Sequence, residues 1–173
     1  MTNSNETLVV ENLRKKIGKK EIIKDISFQL HRGEVFGFLG PNGAGKTTTI
    51  RMLVGLIKAT SGRITICGHD LKSDFSNAIK NIGCIVENPE LYPYLTGLEN
   101  LHYFWRMVPG LPKERIDEVV GLVGLQNRIG DRVSTYSLGM RQRLGIAQAL
   151  LGKPNVLILD EPTNGLDPVG IRE

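Results

Sequence analysis

Short apolar runs interleaved with polar positions open the chain and predict strands at Leu8-Val9-Val10, Ile22-Ile23 and Ile26-Ser27-Phe28-Gln29-Leu30. In the last of these, Phe28 and Leu30 alternate with polar partners, as they do in a strand with one wet face. Val35-Phe36-Gly37-Phe38-Leu39 is nearly all apolar. Such a run predicts a central strand covered on both faces, and His31-Arg32-Gly33-Glu34 before it reads as a tight turn. The period then changes. Ile50, Leu53, Val54 and Ile57 recur at helical spacing and predict a helix from near Gly45 to about Ile57. Ser61-Gly62 turns the chain into a further strand, Ile64-Thr65-Ile66-Cys67, and Ile82-Gly83-Cys84-Ile85-Val86 has the same β texture.

From Asn88 to Gln148 the texture is helical. Thr96-Gly97-Leu98-Glu99 has the spacing of a capping box, opening a helix through Leu101, Phe104 and Trp105. Pro109-Gly110 ends it, and Pro112 suits the first turn of the next helix, with Ile116, Val119, Val120 and Val123 on its apolar face. Ser137 has the chemistry to cap a third helix through Leu144, Ala147 and Leu151, which Pro154-Asn155 breaks. Val156-Leu157-Ile158-Leu159 is then a short buried strand ending in Asp160-Glu161. The pattern is an α/β core carrying a helical insertion.

Composition narrows the class. The 173 residues carry 22 Lys and Arg against 18 Asp and Glu, 40% are hydrophobic and 23% charged. These are ordinary values for a globular domain, and they exclude disordered, collagen-like and coiled-coil chains. No apolar run approaches the roughly 20 residues needed to span a bilayer, and the N-terminus lacks a secretory pattern. A membrane role therefore needs a partner. Much of the basic excess sits in Arg14, Lys15, Lys16, Lys19 and Lys20 around Gly18, flanked by strands. A solvated hairpin tip is the simpler reading over a phosphate-binding patch. Cys67 and Cys84 suit neither a disulfide framework nor a zinc site. Their β-like surroundings predict two buried free thiols, which points to a reduced, cytosolic setting.

Gly40-Pro41-Asn42-Gly43-Ala44-Gly45-Lys46-Thr47 satisfies G-x-x-x-x-G-K-[ST] between an apolar run and an amphipathic helix. Phosphate oxygens need several backbone N–H groups turned inward, in conformations that glycine adopts without steric cost. The helix that follows adds its positive N-terminal end. Lys46 supplies a cation for the β- and γ-phosphates, and the Thr47 hydroxyl is placed to ligate Mg²⁺. These residues, with Thr48 beside them, are the candidate phosphate-binding set. The acidic pair supplies the reaction class. An apolar strand ending in two acids places them beside a phosphate site in an open α/β sheet. Asp160 would hold the metal, and Glu161 would polarise the water that attacks the γ-phosphate.

Three further segments, in this order, complete a resemblance to the ATP-binding cassette (ABC) family. Ile82-Gly83-Cys84-Ile85-Val86-Glu87 resembles the Q-loop strand, Tyr136-Ser137-Leu138-Gly139-Met140-Arg141-Gln142-Arg143-Leu144 the signature motif, and Pro162-Thr163-Asn164-Gly165-Leu166-Asp167-Pro168 the D-loop. The resemblance covers essentially the whole chain. It implies a P-loop NTPase (RecA-like) α/β core with an N-terminal antiparallel β subdomain and an inserted α-helical subdomain, C-terminally truncated. The implied division is a β subdomain plus P-loop core over 1–87, a helical subdomain with the signature helix over 88–152, and the acidic strand and D-loop over 153–173. It also implies a head-to-tail homodimer with a second ABC ATP-binding domain, each ATP held between the phosphate loop of one copy and the signature helix of the other. Ser137, Gly139 and Asp167 would then join the nucleotide site, with Ser137 and its helix end facing the γ-phosphate.

Departures from the family pattern bear on chemistry. The signature keeps Ser137 and Gly139 but carries Leu138 and Met140. The Q-loop glutamine is replaced by Glu87, a carboxylate that binds Mg²⁺ more strongly yet adds negative charge beside the γ-phosphate, and Glu87 is thus a candidate catalytic and metal residue. Where the family has an adenine-stacking aromatic, this chain has Ile17. The family's switch histidine belongs to a strand beyond Glu173, so an unpaired sheet edge beside Val156–Leu159 is expected. Glu87-Asn88-Pro89-Glu90-Leu91-Tyr92-Pro93-Tyr94-Leu95-Thr96 is similar to ATP-binding subunits of bacitracin- and lantibiotic-type exporters, where this region faces the membrane subunit. Tyr92, Tyr94 and Leu95 are either anchors for that subunit or packing within the helical insertion. The expectation is an Mg-dependent ATPase, cytoplasmic and peripheral on the inner face of the membrane, working with an integral membrane permease and without nucleic acid. A hydrolysis-deficient nucleotide-binding form and a soluble, non-transport ABC protein are the alternatives.

Overall fold

The computed structural model describes residues 5–162, and the chain divides at Ile82–Gly83 into two compact units. In the first unit, β1 (Glu6–Ile17), β2 (Lys20–His31), β3 (Ser61–Ile66) and β4 (His69–Asp70) form an antiparallel sheet in the order β2-β1-β3-β4. Ile17 pairs with Lys20, leaving Gly18-Lys19 as the hairpin turn, with Gly18 at φ +57°. Lys16, Lys19 and Lys20 are exposed there, as a solvated tip requires. The expected runs Ile22–Ile23 and Ile26–Leu30 are one continuous strand. Register shifts interrupt its alternation: Lys24-Asp25 oppose Arg14, and Glu11-Asn12 oppose Ser27. The second bulge holds Asn12 at φ +47°, its N–H donating to Ser27 Oγ at 2.8 Å. A bulge reverses which side chains face inward, so a strict period-2 reading sees two short strands. Leu8, Val10, Leu13, Ile23, Ile64 and Ile66 form the buried side of this sheet.

The helix α1 spans Lys46–Leu53, shorter than its apolar spacing suggests. Gly55, at φ +74°, ends it: its N–H donates to Met52 O, and that of Leu56 to Arg51 O. This paired return is the Schellman arrangement, which favours glycine in the left-handed region. A short helix, α2 (Phe75–Ile79), follows β4.

Two expectations are corrected. Val35–Leu39 is not a strand: Val35 is 98% and Leu39 92% exposed, and no described strand pairs with the segment. An apolar run signals readiness for a sheet interior, but a strand needs neighbouring chains to bond. Nor are the thiols buried. Cys67 is half-buried in the β3–β4 turn at φ +49°, and Cys84 is exposed, although both are free as expected.

In the second unit, β5 (Ile82–Ile85) and β6 (Val156–Leu159) form a two-stranded sheet beside α3 (Gly97–Trp105), α4 (Glu114–Leu122) and α5 (Leu138–Leu150). Thr96 caps α3 with both halves of the capping box in place. Its backbone N–H donates to Glu99 and holds that carboxyl below its ordinary pKa. A lowered pKa stabilises the fold above the unfolded value, and this contribution disappears as Glu99 protonates in acid. The core comprises Leu101, Ile116, Val119, Val120, Leu125, Val133, Tyr136, Leu144, Ala147 and Leu151.

Arg115 lies buried on α4. It donates through Nη2 to Leu150 O at 2.7 Å and through Nε to Leu151 O at 3.3 Å, closing the carbonyl end of α5. Its Nη1 also meets Glu118 at 2.8 Å. A cation is favoured at a helix C-terminus, where carbonyls lack intrahelical donors. Arg115→Ala is expected to lower unfolding free energy by about 1.5–3 kcal/mol in urea titration, and Arg115→Lys to recover only part of it. A β-carbon at Gly83 would collide with Ala149 O, and one at Gly145 would lie 2.5 Å from Pro89 Cγ. The helix α5 thus lies against β5 and the segment after it through two positions without side chains. Gly83→Ala is expected to cost about 1–3 kcal/mol by the same measurement.

Candidate functional site

The phosphate loop occupies the bend before α1. Gly43 and Gly45 have φ of +79° and +93°, and Gly45 is the N-cap. Gly43 has open space around it, so its requirement is conformational alone. Gly45 has two requirements, because a β-carbon there would also strike Ile23 of β2. The loop is therefore seated on the hairpin. Ala44 N–H donates to Pro41 O at 3.1 Å, and Thr49, fully buried, donates through Oγ1 to Gly45 O at 3.0 Å. Nothing in the sequence marks Thr49 beyond its place in the run Thr47-Thr48-Thr49.

Lys46 arches back over this loop. Its ammonium donates to Gly40 O at 2.7 Å and Pro41 O at 3.2 Å. An ammonium carries three N–H donors, so a phosphate oxygen can take the third without disturbing the other two. Thr47 and Thr48 are half-buried in the first turn of α1. Gly40, Asn42 and Gly43 are exposed, as a loop that receives a ligand must be. A shallow cavity of about 450 Å³ is lined by Glu11, Asn12, Arg14, Ser61, Gly62 and Arg63; no loop residue borders it, and it is not the candidate site.

The acidic residues belong to the second unit. Asp160 N–H donates to Ile85 O at 3.0 Å, which sets the carboxyl ends of β5 and β6 side by side. Glu87, Asp160 and Glu161 thus leave the same end of one small sheet. Asp160 is buried. Glu87 and Glu161 are exposed at φ +65° and +46°. A left-handed backbone costs a non-glycine residue about 1–2 kcal/mol, and such strain concentrates at functional sites.

Ser137 caps α5, accepting from Met140 N–H at 3.2 Å, and Gly139 lies in the first turn. Tyr136 behind it is buried, donates from Oη to Arg128 O at 2.7 Å, and has its pKa raised by that burial. Its backbone carbonyl accepts from Arg141 Nη2 at 3.1 Å. The cap is therefore anchored on both sides while Ser137 itself is exposed. Asp167 and the D-loop from Thr163 onward lie outside the described residues.

A family profile described as ABC transporter matches residues 23–164, most of the chain. The chain belongs to that family. It is similar to the ABC transporter ATP-binding protein YhcH of Bacillus subtilis, at 64% identity over 96% of this chain and 54% of that protein. It is also similar to the bacitracin transport ATP-binding protein BcrA of Bacillus licheniformis, at 50% identity over 94% of this chain and 53% of that protein. The chain thus spans about half the length of these curated relatives. Among solved structures, cbiO1 from Clostridium perfringens, described as part of the ABC transporter complex cbiONQ, superposes with a TM-score of 0.85 at 29% identity, covering 97% of this chain and 70% of that one. The mixed α/β fold with its antiparallel sheet is that of ABC ATP-binding subunits. The exporter resemblance of Glu87–Thr96 agrees with the BcrA match. No described helix is long and apolar enough to cross a membrane.

Proposed function

We propose that this chain is the Mg-dependent ATP-hydrolysing part of an ABC exporter, with a peptide antibiotic or a related drug as cargo. The observation that carries the reading is the phosphate loop itself: a glycine-shaped bend seated on β2, with the Lys46 ammonium held over it by two carbonyls. Family membership and the BcrA likeness support the transport assignment.

In this reading the loop amides and Lys46 bind the triphosphate, and the N-terminus of α1 faces its negative charge. Thr47 and Asp160 each carry a hard oxygen donor of the kind magnesium prefers and would hold that ion, with waters and substrate phosphates among its other ligands. Asp160, a buried acid at the carboxyl end of β6, suits that role. Bound magnesium would offset phosphate charge. Glu161 accepts the proton of the attacking water, and Glu87 contributes a second carboxylate at the same end of the β5–β6 sheet. Ser137, Gly139 and the amino end of α5 would complete the nucleotide site of a second copy of this domain, packed head to tail, with Asp167 nearby.

The exposed aromatic face of the helical unit supports docking to an integral membrane permease from the cytoplasmic side. Tyr92 packs against Tyr94, Tyr103 and Phe104, with centroids 5.9, 5.0 and 6.4 Å apart, while Tyr94 stays 67% exposed. The two roles open to this run are thereby divided: Tyr92 packs among its neighbours, and Tyr94, resting on Tyr92 at one side, presents most of its ring outward. Phosphate release by the protein assembled with its permease in lipid vesicles tests the proposal. ATP-dependent release requiring magnesium is expected; ATP binding with no release would favour the hydrolysis-deficient alternative, to which Glu87 and Ile17 point.

A further inference from the structure

Asn100 is fully buried on α3 among apolar residues of the helical unit. Its side chain makes three hydrogen bonds to one loop: Oδ1 accepts from Tyr92 N–H at 2.8 Å, and Nδ2 donates to Tyr92 O at 3.1 Å and Thr96 O at 2.9 Å. A buried amide left partly unbonded costs more than its bonds return, so the site accepts this residue only with the loop in place. The loop's other side is bonded as well. Ser134 N–H donates to Pro93 O at 2.8 Å and Val133 N–H to Leu95 O at 2.9 Å. Residues 133 and 134 lead directly into Tyr136 and the Ser137 cap of α5. The loop carrying Tyr92 and Tyr94 is thus pinned to α3 and tied by its own carbonyls to the segment that enters the signature helix.

We infer that Asn100 is a positioning residue for coupling to the membrane subunit: it holds the Tyr92–Thr96 loop so that Tyr94 and the entry to α5 move as one body. This rests on the docking reading above. The loop would be prepared before the permease arrives, so binding would not have to order it.

The test titrates permease in lipid vesicles against the protein and follows permease-stimulated ATP turnover. Asn100→Ala is expected to raise the half-saturating permease concentration about tenfold, equivalent to about 1.4 kcal/mol, while turnover at saturation stays near the wild-type value. Asn100→Asp, which can still accept from Tyr92 N–H but sets a buried carboxylate against the carbonyls of Tyr92 and Thr96, is expected to raise half-saturation at least as far. Amide exchange in the protein without permease should quicken at Tyr92 and Ser134 in Asn100→Asp but not in α4, which separates loop release from general unfolding. Unchanged half-saturation in both variants, or equal quickening throughout the helical unit, overturns the inference. Tyr94→Ala is the control. If it raises half-saturation while the Asn100 variants do not, docking stands and positioning fails; if it has no effect, the docking reading fails and takes this inference with it.

Discussion

Lys46→Ala is expected to weaken ATP binding about 10- to 150-fold, the equivalent of removing one hydrogen bond to a charged group worth about 1.5–3 kcal/mol. Turnover should fall further, by about 10² to 10³, because the same ammonium meets charge that grows as the γ-phosphate leaves. The structure adds a second consequence. The Lys46 ammonium also bridges Gly40 O and Pro41 O. Its loss frees the first residues of the loop, so some of the lost affinity reflects a loop that must be ordered by the ligand. Lys46→Arg separates the two effects: it keeps the charge, but a planar fork cannot place three diverging donors on two carbonyls and a phosphate. Calorimetry of ATP binding with phosphate release provides the check. Wild-type affinity and turnover in Lys46→Ala would remove the phosphate loop from the mechanism.

Glu161→Gln is expected to separate binding from chemistry. The amide is nearly isosteric and can adopt the same left-handed backbone, φ +46°, but it cannot take up a proton. A positioned general base contributes about 10²–10⁴ to rate, so turnover should fall within that range while ATP affinity changes by less than about threefold. The ATP-bound form should then persist, and the proposed head-to-tail dimer should be seen by size-exclusion chromatography with ATP and not with ADP. Equal turnover in Glu161→Gln and wild type would end the assignment. Loss of ATP binding in that variant would place Glu161 in the binding site instead.

Some of this molecule is written in contiguous sequence. The capping box at Thr96, the Ser137 cap, the turn at Gly18-Lys19 and the phosphate loop are all legible, because each is settled by bonds and backbone angles within a few residues. The strand that ends in Asp160-Glu161 is legible for the same reason, four apolar residues bounded by a break and two acids, but its expected burial holds only for Val156, since Leu157 is exposed and Ile158 and Leu159 are half-buried.

What the tertiary structure alone decided involves partners distant along the chain. Nothing near Gly45 in sequence indicates that Ile23 excludes a β-carbon there, and nothing near Arg115 indicates the carbonyls of Leu150 and Leu151. Asn100 reads as an ordinary helix position until Tyr92 and Thr96 fold onto it. Val35–Leu39 shows the converse: apolar enough for a sheet interior, it is left exposed because no described strand bonds to it. Local propensity determines which conformation a segment is ready to adopt. Burial and pairing depend on what the rest of the chain brings alongside, and that information is carried by the other partner's position rather than by the segment itself.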